Sequence, residues 1–148
     1  MLHAEHLDVR AVTLALNVED CAAPGVDHLC RKLHSKITSR ANRLVETCDR
    51  VGVKYGIPVI NKRIALSPVS TILAGHGQAA AVQVARTLDK AAAECRVDFV
   101  GGFSALVHKG ISQGDDVVMN SLPDVLSKTK QVCASLNVAS RKAGSNMD

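Results

Sequence analysis

The sequence predicts an α/β fold in which β-α units alternate and build a parallel sheet. Short runs of β-branched and aliphatic residues recur along the chain, and the segments between them carry apolar residues at helical spacing. Strands of a parallel sheet are buried on both faces and read as continuous apolar runs, as VRAVTLALNV near the N-terminus does. We expect the 148 residues to form a single domain, because this length is enough to bury one core.

Four segments are predicted to be strands: residues 9–18, 57–66, 97–100 and 132–139. The third of them, VDFV, is short and is followed at once by two glycines. Glycine allows backbone conformations that other residues avoid. The stretch GGFSALVHKG is therefore interpreted as a loop at the rim of the sheet, with a tight turn as the simpler alternative.

Three helices are predicted between these strands. Residues 26–51 place apolar side chains every three or four positions, with Arg and Lys on the other face, which indicates one long helix. Residues 78–95 form a second, alanine-rich helix. A third helix is expected to begin at Ser121, because Ser-Leu-Pro-Asp combines a capping serine with a proline in the first turn. Residues 141–148 form a polar tail.

Composition and charge exclude several classes of partner. The net charge is only +4 and aromatic residues make up 2% of the chain, so a nucleic-acid partner is not expected. Without a run of 18 apolar residues, no membrane partner is expected either. The N-terminus lacks the pattern of a secretory signal, and the five scattered cysteines lack a Cys-x-x-Cys pair. Both observations favour a cytoplasmic protein with reduced thiols.

The cysteines do not indicate a metal site or a nucleophile. Cys30 and His34 have the i, i+4 spacing of metal ligands, but no third ligand is near them in sequence, so no metal is expected. Cys21 follows two acidic residues, which raise a thiol pKa and argue against a reactive thiolate. Cys95 and Cys133 are expected to fill the core. Nothing in the sequence identifies a cofactor.

Four longer stretches of the chain are DVRAVTLALNVEDC, GIPVINKRIALSPVS, VDFVGGFSALVHKG and MNSLPDVLSKTKQVCASLNVASRKAGSNM. In this order they resemble an uncharacterised prokaryotic family known as domain of unknown function 711. The resemblance covers nearly the whole chain and is to the N-terminal portion of the family. It implies part of a larger α/β barrel that resembles pyruvate formate-lyase. An arc of a barrel has two unpaired edges, so a partner chain would complete it or copies would self-associate. The resemblance supplies no catalytic residues.

Lys62 and Arg63 are adjacent cations inside an otherwise apolar strand. Neighbouring side chains in a strand point to opposite faces, and a buried charge is costly unless it is paired. One of the two is therefore expected to face the barrel interior and bind a carboxylate or phosphate, while the other pairs with an acid under a helix. The alternative is a structural ion pair with Asp20 or Asp98.

The candidate catalytic residues are these two cations and Asp20, which closes the first strand and is the best candidate for a general acid or base. The candidate ligand-binding residues follow the third and fourth strands. They are Gly101, Gly102, Ser104, Lys109 and Asn137. Exposed N–H groups of the two glycines beside a serine hydroxyl suit an anion. Asn137 alternates with Ser135 along the fourth strand, so both are expected to point into the interior.

These features predict a protein that binds or acts on a small anionic metabolite at the carboxyl ends of the strands, where parallel sheets place their ligands. The alternative is a non-catalytic subunit or truncated remnant that assembles with a partner chain completing the barrel. The sequence leaves open whether the protein is an enzyme.

Overall fold

A computed structural model describes residues 8–146 and contains one parallel sheet of four strands in the order β1-β2-β3-β4. The strands are β1 (Val9–Leu16), β2 (Val59–Leu66), β3 (Phe99–Leu106) and β4 (Val132–Asn137). Each strand pairs with its neighbour in sequence, as expected when every crossover returns the chain to the next position. The predicted α/β fold with alternating β-α units is confirmed.

Four helices connect the strands: α1 (Val26–Ala41), α2 (Leu44–Tyr55), α3 (Gln78–Cys95) and α4 (Gln113–Lys128). Short 3₁₀ turns follow β1 and β2, at Glu19–Cys21 and Val69–Ile72. The boundaries of α3 agree with the predicted helix over residues 78–95. No helix within residues 8–146 combines the length and the apolarity that a membrane crossing requires.

The prediction of one long helix over residues 26–51 is wrong. The chain leaves helical geometry at Arg43, with φ −110° and ψ 3°, and α2 starts at the next residue. The apolar spacing runs across this break, which is why the sequence did not reveal it. The first helix packs on α3, whereas the second lies over β2 and buries only Cys48. Gly56 ends α2 in the left-handed conformation, which glycine adopts readily.

The predicted start of the third helix at Ser121 is also wrong, because α4 begins eight residues earlier. Ser112 caps the helix: its hydroxyl accepts a hydrogen bond from the backbone N–H of Asp115, whose carboxylate accepts one from the N–H of Ser112. Pro123 therefore lies inside the helix. The first two turns, QGDDVVMN, contain residues of weak helix propensity, which concealed them.

The interpretation of GGFSALVHKG as a loop is wrong for its first six residues, because β3 runs through the glycines to Leu106. The pairing with β4 shifts between Val100 and Phe103, where three steps along β3 match two along β4. This is a β-bulge. Gly102 has φ +110°, and a Cβ atom there would lie 2.6 Å from the carbonyl oxygen of Leu66. The bulge and this close approach between strands explain why position 102 is a glycine.

The core lies between the sheet and the helices, all of which cover the same face. The strands contribute alternate residues to it, among them Ile64, Val100 and Phe103. The helices contribute mainly aliphatic side chains such as Leu33 and Leu88, as the low aromatic content predicts. Within residues 8–146 no helix lies on the other face of the sheet. Side chains on this uncovered face are not packed against helices, so this is the face of the sheet that can hold a site.

A small hairpin follows β4 and accounts for most of the predicted polar tail. Ala139–Ser140 (β5) pairs antiparallel with Gly144–Ser145 (β6). The side chain of Asn146 donates a hydrogen bond to the carbonyl oxygen of Val107, at 2.7 Å. The hairpin is thereby attached to the carboxyl end of β3. Met147 and Asp148 lie outside the described residues.

Candidate functional site

The uncovered face of the sheet, which we call the open face, is formed by the strand side chains that point away from the helices. Its members are Ala11, Thr13, Ala15, Asn61, Arg63, Ala65, Phe99, Gly101, Ser104, Leu106, Cys133, Ser135 and Asn137. Most of these residues are small or polar, and none of them is fully buried. Such a composition leaves room above the sheet instead of filling it.

Arg63 is the centre of the open face. Its guanidinium carbon lies 5.5 Å from the centroid of the Phe99 ring, a cation-π contact between paired positions of β2 and β3. None of the ion pairs among the described residues includes Arg63. In the described part of the chain, its positive charge therefore contacts an aromatic ring and no acidic side chain.

A concavity of about 470 Å³ lies beside this arginine. It is lined by Thr13, Arg63, Ile64, Ala65, Phe99, Gly101 and Cys133. The lining residues come from all four strands, and apolar atoms provide most of the surface. A volume of this kind is within the range of small-molecule sites, about 300–1,000 Å³.

Lys62 points to the helix face, so the prediction that the two cations diverge is confirmed. Its Nζ lies 3.2 Å from a carboxylate oxygen of Asp49 on α2. The alternative prediction was a structural ion pair with Asp20 or Asp98, and both of these predicted partners are wrong. The carboxylate of Asp98 instead accepts a hydrogen bond from the backbone N–H of Lys62, at 2.7 Å. The sequence could not identify Asp49 because the break before α2 was not foreseen.

Asp20 lies in the 3₁₀ turn after β1, where it faces α1. Its carboxylate accepts a hydrogen bond from Lys36 Nζ at 2.5 Å, and its backbone oxygen accepts one from Lys32. The bond from Lys36 lowers the pKa of the Asp20 carboxyl. An ionised, paired carboxylate of this kind is a weak base. Burial, followed by the charge of Asp20, raises the pKa of the Cys21 thiol, as predicted.

The predicted ligand-binding residues are distributed along β3, β4 and the turn between β3 and α4. Gly101 lines the concavity, whereas Gly102 contacts the neighbouring strand at the bulge. The hydroxyl of Ser104 donates to the carbonyl oxygen of Gly102 at 3.3 Å. Lys109 is exposed in the turn after β3, and Asn137 is exposed at the end of β4. Because β3 includes the glycines, the anion-binding loop expected there does not form; the binding role of these residues stays a prediction.

Five of the seven residues that line the concavity were missed from the sequence: Thr13, Ile64, Ala65, Phe99 and Cys133. Cys133 was expected to fill the core, and this is wrong, because it is exposed on the open face. The alternation of side chains along a strand could have revealed this position, since Cys133 precedes Ser135 and Asn137 at intervals of two. Those two residues were correctly expected to share a face. Within residues 8–146, no group of three His, Cys, Asp or Glu residues is placed to hold a metal ion.

Comparison with known proteins identifies the family. Residues 1–148 match the family model described as Uncharacterised ACR (DUF711). The chain belongs to this family. It is similar to a UPF0210 protein of Desulforudis audaxviator, with 49% identity over 148 residues that cover 100% of this chain and 33% of the relative. A UPF0210 protein of Methanocaldococcus jannaschii is 47% identical over 156 residues and is covered to 34%.

The chain thus spans about a third of the length of the curated relatives that it matches. The resemblance to the N-terminal portion of the family is confirmed. Among the relatives, a UPF0210 protein of Methanosarcina acetivorans is 47% identical over 148 residues, with 32% of its length covered. Relatives from these three organisms therefore match the chain at similar identity.

Proposed function

We propose that the chain forms one wall of a larger α/β barrel and that its open face binds a small anionic metabolite. The observation that carries this proposal is the position of Arg63, which has no acidic partner among residues 8–146 and lies over Phe99 beside a concavity. Ligand anions are commonly bound by such guanidinium groups. Lys62 and Asp20 are each engaged in ion pairs on the helix side, so Arg63 is the proposed anion ligand.

The location supports the proposal. Arg63 precedes the end of β2 by three residues, so a bound molecule extends towards the carboxyl ends of the strands. Ser104, Ser135 and Asn137 lie in that direction on the open face, and their polar groups suit the remainder of a metabolite. All five cysteines are free, which fits the reducing cytoplasm that we propose as its compartment.

Titration of the isotope-labelled chain with acetate and with inorganic phosphate, followed by NMR, tests anion binding. We expect either anion to shift the Arg63 side-chain resonance and the Gly101 amide. Arg63→Met removes the charge while keeping an apolar stem, and should abolish the shifts. Lys62→Met is the matched control one residue away and should leave them in place. Equal shifts in all three proteins, or none in the unmodified chain, would contradict the proposal.

A second candidate function is assembly with a partner chain that completes the barrel. It is favoured by the two outer edges of the sheet, since no described strand pairs with the free sides of β1 and β4. Unpaired edges expose backbone groups that pair readily with another strand. Light scattering on the purified chain, alone and co-expressed with the remaining two thirds of a relative, tests this. If the chain is a monomer both alone and in the presence of the added portion, assembly is contradicted.

A further inference from the structure

We infer that the metabolite is a carboxylate with a single negative charge and a flat apolar body, and not a phosphate ester. This inference rests on the proposed binding of an anion at Arg63 and specifies its chemical class. Three features of the open face carry the inference: its charge, the surface beside the charge, and the orientation of the guanidinium group.

The charge of the open face matches a monoanion. Arg63 is the one charged side chain among the thirteen residues that define this face. A phosphate ester carries nearly two negative charges at neutral pH, and its sites usually add backbone N–H groups of a loop or a helix start. On this face the backbone beside Arg63 belongs to the sheet, where β2 pairs with β1 and β3. One guanidinium group therefore neutralises a carboxylate and leaves a phosphate uncompensated.

The surface beside Arg63 is apolar and carries no large side chain where Ala65 of β2 pairs with Gly101 of β3. Both residues line the concavity. Gly101 offers no side chain, and even a Cβ atom there would meet nothing closer than the carbonyl oxygen of Ile64, at 3.9 Å. A planar apolar group can lie directly on this pair, bordered by the Phe99 ring and by Cys133. A sugar would find few hydrogen-bond partners on such a surface.

The orientation of Arg63 favours a carboxylate. Its guanidinium group lies over the face of Phe99, which leaves the N–H groups at the edge of the fork free for a bidentate contact. Thr13 lies directly across from Arg63 in the β1–β2 register and lines the same concavity. Its hydroxyl makes no hydrogen bond to the described residues. Thr13 is therefore a second donor for one of the two carboxylate oxygens.

Three probes test the inference on the 148-residue chain by NMR at neutral pH. They are benzoate, benzyl alcohol, which keeps the ring and loses the charge, and inorganic phosphate, which loses the ring and carries more negative charge than benzoate. We expect benzoate to bind in the millimolar range and to shift the amides of Gly101 and Cys133. Arg63→Met should weaken benzoate binding about tenfold, and Lys62→Met should not change it.

The outcomes separate the two proposals. If phosphate binds more tightly than benzoate and depends on Arg63, an anion site exists and the inferred carboxylate class is wrong. If benzyl alcohol binds as tightly as benzoate, the site does not select for charge, and the inference and the proposed function both fail. If none of the probes shifts a resonance of the open face, the proposed function itself is contradicted.

Discussion

The two faces of the sheet differ sharply, although they belong to the same four strands. On the helix face, Ile64 and Phe103 are fully or almost fully buried, and Lys62 is paired with Asp49. On the open face, the adjacent residue Arg63 is exposed and lies on Phe99, and no acid of the described residues pairs with it. A single residue step along β2 thus separates a neutralised charge from a charge that is available to a ligand.

This contrast indicates which face stabilises the fold and which face is available for binding. Burial of apolar area is the main stabilising contribution to folding, and it is concentrated between the sheet and the helices. Substitutions on that face should therefore lower the free energy of unfolding. Substitutions on the open face should change binding and leave stability nearly constant.

The two phenylalanines of the chain should show the largest difference in stability between the two faces. Phe103 is completely buried on the helix face, whereas Phe99 is 38% exposed on the open face. Phe103→Ala should reduce the free energy of unfolding by about 3–5 kcal/mol, because it removes a core side chain and leaves a cavity. Phe99→Ala should cost about 1 kcal/mol or less. Urea denaturation followed by circular dichroism measures both, and similar losses would refute the distinction between the faces.

The fold class was predictable because buried parallel strands and amphipathic helices leave strong periodic patterns. The helix over residues 78–95 was located to the residue, since alanine has the highest helix propensity and the apolar spacing is regular. The break before α2 was not predictable, because an apolar period continues unchanged through Asn42 and Arg43. Local patterns do not record which neighbour a helix packs against, and here that changes from α3 to β2.

The candidate site was predictable only in part. The divergence of Lys62 and Arg63 follows from strand geometry, and so does the shared face of Ser135 and Asn137. Which face the helices cover is a property of the assembled fold, so the sequence did not say which cation would be free. The glycines of β3 were misread because a bulge and a loop require the same residue.

The adjacent glycines of β3 provide the second test. Gly102 has φ +110° and an added Cβ atom would meet Leu66 at 2.6 Å, whereas the nearest atom to a Cβ on Gly101 is 3.9 Å away. Gly102→Ala should lower stability by about 2 kcal/mol through backbone strain and the clash. Gly101→Ala should change it by less than about 0.5 kcal/mol. A well-tolerated Gly102→Ala would mean that the bulge does not hold the strands together at this point.

Acid should weaken the helix face through Asp115, the buried acid of the α4 cap. Burial alone would raise its pKa, but hydrogen bonds from Ser112 and Ser70 outweigh burial and hold the pKa below its ordinary value. The carboxylate therefore stabilises the fold above its unfolded pKa, and this contribution is lost as pH falls through the folded pKa. Asp115→Asn should cost about 1 kcal/mol at neutral pH.

The pH dependence of unfolding distinguishes this account from a simple loss of packing. The unmodified chain should lose stability on acidification, and Asp115→Asn should lose less because the titrating group is gone. Asp124→Asn, which removes an exposed acid of the same helix, is the control and should follow the unmodified chain. Parallel curves for the unmodified chain and Asp115→Asn would contradict the proposed role of the carboxylate.

The smallest effect is expected at the two adjacent cations, where the comparison between the faces is most direct. Lys62→Met should lower stability by about 0.5 kcal/mol, because the Asp49 partner is 59% exposed and solvent screens the pair. Arg63→Met should have no measurable effect on stability. A double-mutant cycle with Asp49→Asn should show coupling to Lys62 and none to Arg63. Coupling of Asp49 to Arg63 would mean that the open-face charge is neutralised after all, and the reason for assigning an anion to it would be lost.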